Sequence, residues 1–143
     1  MFLVDVNFLV AAHRADHVHN APAISLLKQF HEESKVVALC DIALSGFLRV
    51  ATHAGIFQEP SSLETAFGFL DDLLELPNAV RVSPGLDHWK IFSSLCRRIH
   101  AKGAFITDVY LAALAHEHGY TLVSFDKDFH RFPGLRWRNP LKA

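Results

Sequence analysis

FLVDVN, residues 2–7, is a run of three apolar residues that leads directly into an acid. A short apolar run of this kind is typical of a buried strand, so it predicts a strand at Phe2–Val4 with Asp5 at its end. A carboxylate in such a place is costly to desolvate unless a positive charge meets it. The stretch therefore predicts a buried sheet whose edge carries a charged site.

Strand-like and helix-like segments alternate along the rest of the chain. The other strand-like runs are residues 35–40, 78–82, 121–124 and 135–138. The helix-like segments are residues 7–13, 19–34, 41–50, 62–75, 87–102 and 108–118. This alternation predicts an α/β sandwich with a mainly parallel sheet, and 143 residues suit a single domain spanning 1–143.

The charge composition limits how the protein can meet a polyanion. The formal net charge is −1, so no protein-wide positive field exists and any nucleic-acid contact must be local. A basic cluster with aromatic neighbours lies near the C-terminus, and its members are Arg131, Phe132, Arg136, Trp137, Arg138 and Lys142. Both a nucleic-acid patch and a solvated basic tail fit this cluster.

The cysteines and the N-terminus bear on location. Cys40 and Cys96 lie in apolar surroundings with no partner at metal-site spacing, which predicts two buried reduced thiols. The N-terminus lacks the features of a signal peptide, and no apolar run approaches the roughly 18 residues that span a bilayer. We therefore expect a soluble, cytoplasmic protein without a membrane partner.

Three acids occupy positions that converge in such a fold. Asp5 and Asp126 end strands, and Asp108 opens a helix. Each acid alone fits a turn or cap residue. Together they would repel by roughly 4 kcal/mol per pair at 4 Å in an effective dielectric near 20, so the trio predicts a bound hard divalent cation. Such an ion can activate water and neutralise charge on a phosphodiester.

Four motifs carry a resemblance to a known family. They are Asp5-Val6-Asn7, Gly46-Phe47-Leu48-Arg49, Thr107-Asp108 and the run SFDKDF at residues 124–129. Their ordered set resembles the PIN-domain ribonucleases, and more closely the VapC toxins of type II toxin–antitoxin pairs. The endings FPGL at 132–135 and NPL at 139–141 are similar to one branch of that group, abundant in mycobacteria. The resemblance implies a PIN-like three-layer α/β/α sandwich.

The resemblance also implies an activity and its partners. VapC-like proteins are metal-dependent endoribonucleases that cut structured RNA at single-stranded positions, form homodimers and are neutralised by a VapB-type antitoxin. By position, Asp5, Asp108 and Asp126 match the catalytic, metal-binding carboxylates, with Mg²⁺ as the expected ion and Mn²⁺ able to substitute. Asn7 and Ser124 match polar positions that support the acids or their metal-bound waters.

Three further positions carry open alternatives. Asp128 either assists the acids or shapes the turn before Phe129. Arg49 either contacts phosphate, pairs with a site carboxylate or forms a surface salt bridge. Many PIN nucleases place a glutamate in the helix after the second strand, where this chain has Ser45-Gly46, and the nearest acid, Asp41, is interpreted as a helix cap. One tightly bound ion, with another recruited by the RNA phosphate, is therefore expected.

Other functions fit the sequence less well than a nuclease. The ten histidines form no HExxH motif, so no histidine enters the predicted mechanism. An aspartyl-phosphate phosphatase needs a second acid two positions after Asp5, where Asn7 stands. A catalytically silent PIN fold that binds only RNA or protein remains the alternative. For the antitoxin, the expected groove uses the first helices, with Phe8, Leu9, Leu48 and Phe57.

Overall fold

One five-stranded sheet forms the centre of the computed structural model, which describes residues 1–142. Its strands are β1 Phe2–Val4, β2 Val37–Cys40, β3 Ala79–Val82, β4 Thr121–Val123 and β5 Trp137–Arg138. The strand order is β3-β2-β1-β4-β5 and every pair is parallel. The predicted parallel α/β sheet is confirmed.

Helices cover both faces of this sheet. They are α1 Val6–His13, α2 Asn20–Glu32, α3 Asp41–Ala51, α4 Leu63–Leu74, α5 His88–Arg98, α6 Phe105–His118 and the 3₁₀ helix Lys127–Arg131. The chain runs outward from β1 through β2 to β3 and then returns past β1 to β4, so right-handed crossovers place α1–α4 on one face and α5 and α6 on the other. In agreement, α1 packs on α2 and α3, whereas α5 packs on α6.

The strand order also fixes where a site can form. β1 lies between β2 and β4. The connection after β1 leads to β2 on one side, and the connection after β4 leads to β5 on the other side, so a crevice opens at the carboxyl ends of β1 and β4. Val4 pairs with Val123, and the Asp5 N–H donates to the Val123 carbonyl at 3.0 Å. The residues that follow β1 and β4 therefore meet at this edge.

Three predicted helix starts are wrong in detail. Asn7 does not cap α1, because the helix begins at Val6 and Asp5 is its N-cap. Asp41 is the first helical residue of α3 and forms no capping bond; Cys40 holds the N-cap position. Asp108 lies in the first turn of α6 rather than at its start, since the helix already begins at Phe105.

The C-terminal basic cluster is packed against the body of the protein. The Arg138 guanidinium lies 5.6 Å from the centre of the Phe30 ring, and that of Arg131 lies 4.8 Å from the Phe105 ring. Arg136 donates a hydrogen bond to the Gly119 carbonyl. Arg131, Arg136 and Lys142 are nevertheless exposed to solvent, so the nucleic-acid patch and the solvated basic tail both stay predictions.

Two other expectations concern thiols and membranes. Both cysteines are free; Cys40 is buried, but Cys96 is only half-buried because α5 leaves that side partly open. Among residues 1–142, none of the helices combines the length and the apolar character that crossing a bilayer requires.

Candidate active site

Asp5 lies buried at the end of β1. Its side chain accepts a hydrogen bond from the Val6 N–H at 2.6 Å and another from the Ser124 hydroxyl at 2.8 Å. Burial raises the pKa of Asp5; the bonds from Ser124 and Val6 act in the opposite direction, and Asp126 adds to the increase. The carboxylate is thus firmly oriented but short of positive charge.

Ser124 and Asn7 join the two strand ends. Ser124 is fully buried, and its hydroxyl oxygen accepts from the Asn7 amide at 3.0 Å and from the Asp126 N–H at 3.0 Å. The Asn7 side-chain oxygen accepts from the Phe125 N–H at 3.1 Å. Because one hydroxyl touches both acidic segments, Asp5 and Asp126 are held in a fixed relation.

Asp126 and Asp128 belong to one tight turn. The Asp126 side chain caps the 3₁₀ helix by accepting from the Asp128 N–H at 2.9 Å. Asp126 is half-buried, whereas Asp128 is exposed and beyond the lining of the cavity described below. Asp128 therefore contributes backbone to the turn and negative charge to its surroundings.

The pKa of Asp108 is strongly perturbed. Burial raises the pKa of its carboxyl to about 7, and repulsion from Asp5, Asp126 and Asp128 adds to the increase. Every charge that perturbs Asp108 is negative. No side chain of residues 1–142 thus supplies the positive charge that these acids require.

One cavity of about 370 Å³ brings the three predicted acids together. Asp5, Asp108, Asp126 and Asn7 form its polar side. Five apolar side chains also line the cavity and form its apolar wall: Val6, Val10, Val50, Ile56 and Phe57. His17 completes the lining.

The donor set suits a hard divalent ion. Carboxylate oxygens with a nearby hydroxyl and amide are the ligands that Mg²⁺ and Mn²⁺ prefer, and the raised pKa of Asp108 is the response expected of acids gathered without a cation. As the side chains of residues 1–142 are placed, however, no three acidic, histidine or cysteine residues stand close enough to share an ion. Binding one ion therefore requires rotation of the carboxylates toward each other.

The fourth acid of many PIN nucleases has no substitute in the cavity. Ser45 is exposed and does not line it. Asp41 pairs instead with Arg81 at 2.5 Å, on the surface. Arg49 is also exposed, and within residues 1–142 it forms no ion pair with a site carboxylate, so the pairing considered for it is not observed.

The predicted antitoxin groove needs correction. Phe8 and Leu9 are completely buried, because α1 turns them into the core. Leu48 is half-buried, and only Phe57 of the four predicted residues lines the cavity. The available apolar surface is the apolar wall of the cavity.

The sequence assigned no role to two residues that shape this cavity. Arg14 is buried; its guanidinium bonds to Asp16 at 2.7 Å and to the Glu59 carbonyl at 2.8 Å, and it lies 4.1 Å from the centre of the Phe57 ring. His17 lines the cavity itself. The only signal was the polar run RADH after an apolar helix, which does not show what a loop will face.

Comparison with known proteins agrees with this geometry. Residues 2–135 match the PIN domain family. Ribonuclease VapC43 of Mycobacterium tuberculosis is 43% identical over 141 residues, which cover 99% of this chain and 96% of that protein.

Solved structures share the same fold. VapBC2 from Rickettsia felis, bound to a DNA fragment from their promoter, aligns with a TM-score of 0.72 at 18% identity, over 96% of this chain and 97% of that one. M. tuberculosis VapC20, described as a Sarcin-Ricin loop cleaving toxin, gives a TM-score of 0.68 at 18% identity, over 95% and 99%. Together with the sequence match across nearly the whole chain, this places the protein in the PIN-domain family, among the VapC ribonucleases.

Proposed function

We propose that this chain is a Mg²⁺- or Mn²⁺-dependent endoribonuclease toxin, active as one PIN domain in the cytoplasm and neutralised by a VapB-type antitoxin. The observation that carries the proposal is the meeting of Asp5, Asp108 and Asp126 in one cavity where no side chain balances their charge. The sequence relation to VapC ribonucleases gives the reaction class.

The three acids have different parts in this reaction. A bound divalent ion would supply Lewis-acid stabilisation and a more acidic water for attack on the phosphodiester. Asp5, which accepts a hydrogen bond from Ser124, and Asp126, which accepts one from the Asp128 N–H, provide two carboxylates at neighbouring strand ends that would turn toward a bound ion. Asp108 is half-buried with a raised pKa, and it would join them as a ligand after losing its proton.

The shape of the site favours an unpaired strand of RNA. A cavity of about 370 Å³ at the sheet edge admits one nucleotide and not a duplex. Arg49 is exposed on α3 and free of ion pairs within residues 1–142, so it can meet a phosphate of the same strand. Neutralising the acids with cations is what allows a polyanion to approach this edge.

The apolar wall gives the antitoxin a place to bind. A segment of the antitoxin lying on Val10, Ile56 and Phe57 would fill the cavity and exclude RNA. Coexpression with the reading frame upstream should therefore restore growth to cells that express this chain. A homodimer belongs to the same proposal, and sedimentation of the purified protein should give twice the chain mass.

The direct test is RNA cleavage by antitoxin-free protein. Total RNA incubated with Mg²⁺ or Mn²⁺ should be cut by the natural protein, and Asp5→Asn should reduce the rate by more than about 100-fold, since a buried ligand to the ion loses its charge. Asp72→Asn, an equal change at an exposed position of α4, should cut like the natural protein.

The same assay separates the nuclease from the silent alternative. Absence of cleavage by a folded natural protein with either ion, together with retained RNA or partner binding, would favour a binding module, whereas metal-independent cleavage would contradict the metal-dependent mechanism. The observation that favours a binding module is the missing glutamate in α3, because the cavity then has three acids where many PIN nucleases have four.

A further inference from the structure

His17 occupies a position in the cavity that neither the mechanism nor the metal requires. It lies on the loop between α1 and α2, is half-buried and lines the cavity that contains the three acids. None of the charges that perturb Asp5 or Asp108 comes from His17. The ring is therefore placed to meet a ligand and not to balance the acids.

One hydrogen bond determines which nitrogen of the ring carries a proton. The Nδ1 atom accepts from the His19 N–H at 3.0 Å, so in the neutral ring the hydrogen resides on Nε2. No other hydrogen bond of this ring is formed within residues 1–142. Nε2–H is thus an available donor. Burial lowers the pKa of His17, which keeps the ring neutral at pH 7.

A chain of contacts ties this donor to the acids. The His19 ring stacks on Phe125 with centroids 4.7 Å apart and planes 16° apart. Phe125 stands between Ser124 and Asp126, and its N–H donates to the Asn7 side chain at 3.1 Å. The loop carrying His17 is therefore held in a fixed position relative to the reacting centre, as a specificity contact requires.

The surroundings of the donor match a base better than a phosphate. A phosphate is bound best by a cation, whereas this ring is a neutral donor in a cavity that is also lined by Val10, Ile56 and Phe57. A nucleobase combines a flat apolar face with hydrogen-bond acceptors on its edge, and proteins recognise unstacked bases through both.

Resting on the proposed nuclease function, we propose that the cavity holds one unstacked nucleobase next to the scissile phosphate and that His17 donates from Nε2 to an acceptor atom on its edge. His17 then sets nucleotide preference at one position relative to the cut. It takes no part in proton transfer. The antitoxin segment and this base exclude each other because they use the same wall.

Two substitutions separate this role from a structural one. His17→Asn keeps an acceptor near the Nδ1 position for the His19 N–H but removes the Nε2 donor. His17→Gln places an amide donor near Nε2 and gives up the Nδ1 acceptor. A random single-stranded RNA pool is cleaved with each protein, and the new 5′ ends are sequenced. Melting temperatures are recorded in parallel.

The natural protein and His17→Gln should share a nucleotide preference at one position. In His17→Asn that preference should weaken by about three- to tenfold, the range expected for one hydrogen bond to a base. Equal preferences in all three proteins would overturn the proposal, and so would a uniform loss of cleavage across all sequences, which marks a phosphate contact. Either result leaves the nuclease function intact when the natural protein still cuts.

A second measurement tests the proposal without cleavage. RNA from the same pool is mixed in Mg²⁺ with Asp5→Asn protein, or with the double variant that also carries His17→Asn. The RNA that each protein binds is then retained on a filter. The proposal predicts that enrichment of one nucleotide at a fixed position is lost with His17→Asn. Retention of the same sequences by both proteins, or of none by either, would contradict it.

Discussion

The pKa of Asp108 reflects the electrostatics of the whole site. Its pKa is raised to about 7 by burial and by neighbouring carboxylates, while in the unfolded chain it is close to 3.8. Between these values the folded protein keeps a proton that the unfolded chain releases. The stability that protonated Asp108 contributes to the fold is therefore fully present below pH 3.8 and is lost as the pH rises through about 7.

This sign leads to a prediction for metal-free protein. In a chelating buffer, the melting temperature should fall between pH 5 and pH 8 more steeply for the natural protein than for Asp108→Asn. At pH 8 the variant should melt roughly 3 °C higher, because it carries no buried charge at this position. Calorimetric scans of both proteins check this, and parallel curves would show that Asp108 is not strained by its neighbours.

At the residue scale, the strand-end acids could be predicted and His17 could not. Asp5 and Asp126 follow apolar runs, and the carboxyl ends of parallel strands share one edge, so their meeting follows from the sequence. The position of His17 depends on how the loop after α1 folds over the cavity. That path is set by Arg14 and by the His19–Phe125 stack, which are contacts between distant parts of the chain.

At the scale of elements, α1 and α3 approach each other closely at Gly46. A Cβ atom added there would lie 2.7 Å from Cγ2 of Val6, a residue of the cavity wall. The absence of a side chain at Gly46 therefore allows the two helices to pack closely beside the cavity wall.

Gly46→Ala should destabilise the fold by about 1–2 kcal/mol, although alanine favours a helix, because overpacking outweighs propensity. Gly68→Ala in α4, where nothing lies within 4 Å of the added atom, should instead stabilise by about 0.5–1 kcal/mol. Urea unfolding measures the free energy of unfolding of both variants.

Combining Gly46→Ala with Val6→Ala should be less destabilising than the sum of the two single changes, and additivity would argue against the clash.

Arg14 fixes another element, the loop between α3 and α4. Its guanidinium holds the Glu59 carbonyl and covers the Phe57 ring, so it keeps the apolar wall in place. Arg14→Lys should cost about 1.5–3 kcal/mol, since lysine cannot reproduce the fork of donors in a buried position. Arg81→Lys, in the exposed pair with Asp41, should change stability by less than about 1 kcal/mol.

Unfolding in urea compares the two arginine variants. An equal loss of stability in both variants would mean that Arg14 contributes no more than a surface ion pair.

The boundaries of the helices were harder to predict than the helices themselves. Asp108 resembled a helix cap, yet α6 begins at Phe105 without a capping side chain, and Phe105 stacks on Phe132 from a distant part of the chain.

At the scale of the whole molecule, the alternation of strands and helices predicted the parallel sheet, but not the order β3-β2-β1-β4-β5. Strand order depends on which face each crossover covers, which local sequence does not encode. The order matters for function, since it places β1 and β4 side by side and opens the crevice that holds the acids.

The central claim is that Asp5, Asp108 and Asp126 rotate together to hold one divalent ion. Titration calorimetry with Mn²⁺ at pH 6, in buffers of different ionisation enthalpy, tests it most directly. We expect saturable binding that releases roughly one proton, because Asp108 must lose its proton to become a ligand, and much weaker binding by Asp108→Asn. Equally strong Mn²⁺ binding by that variant, with no proton released by the natural protein, would contradict the account.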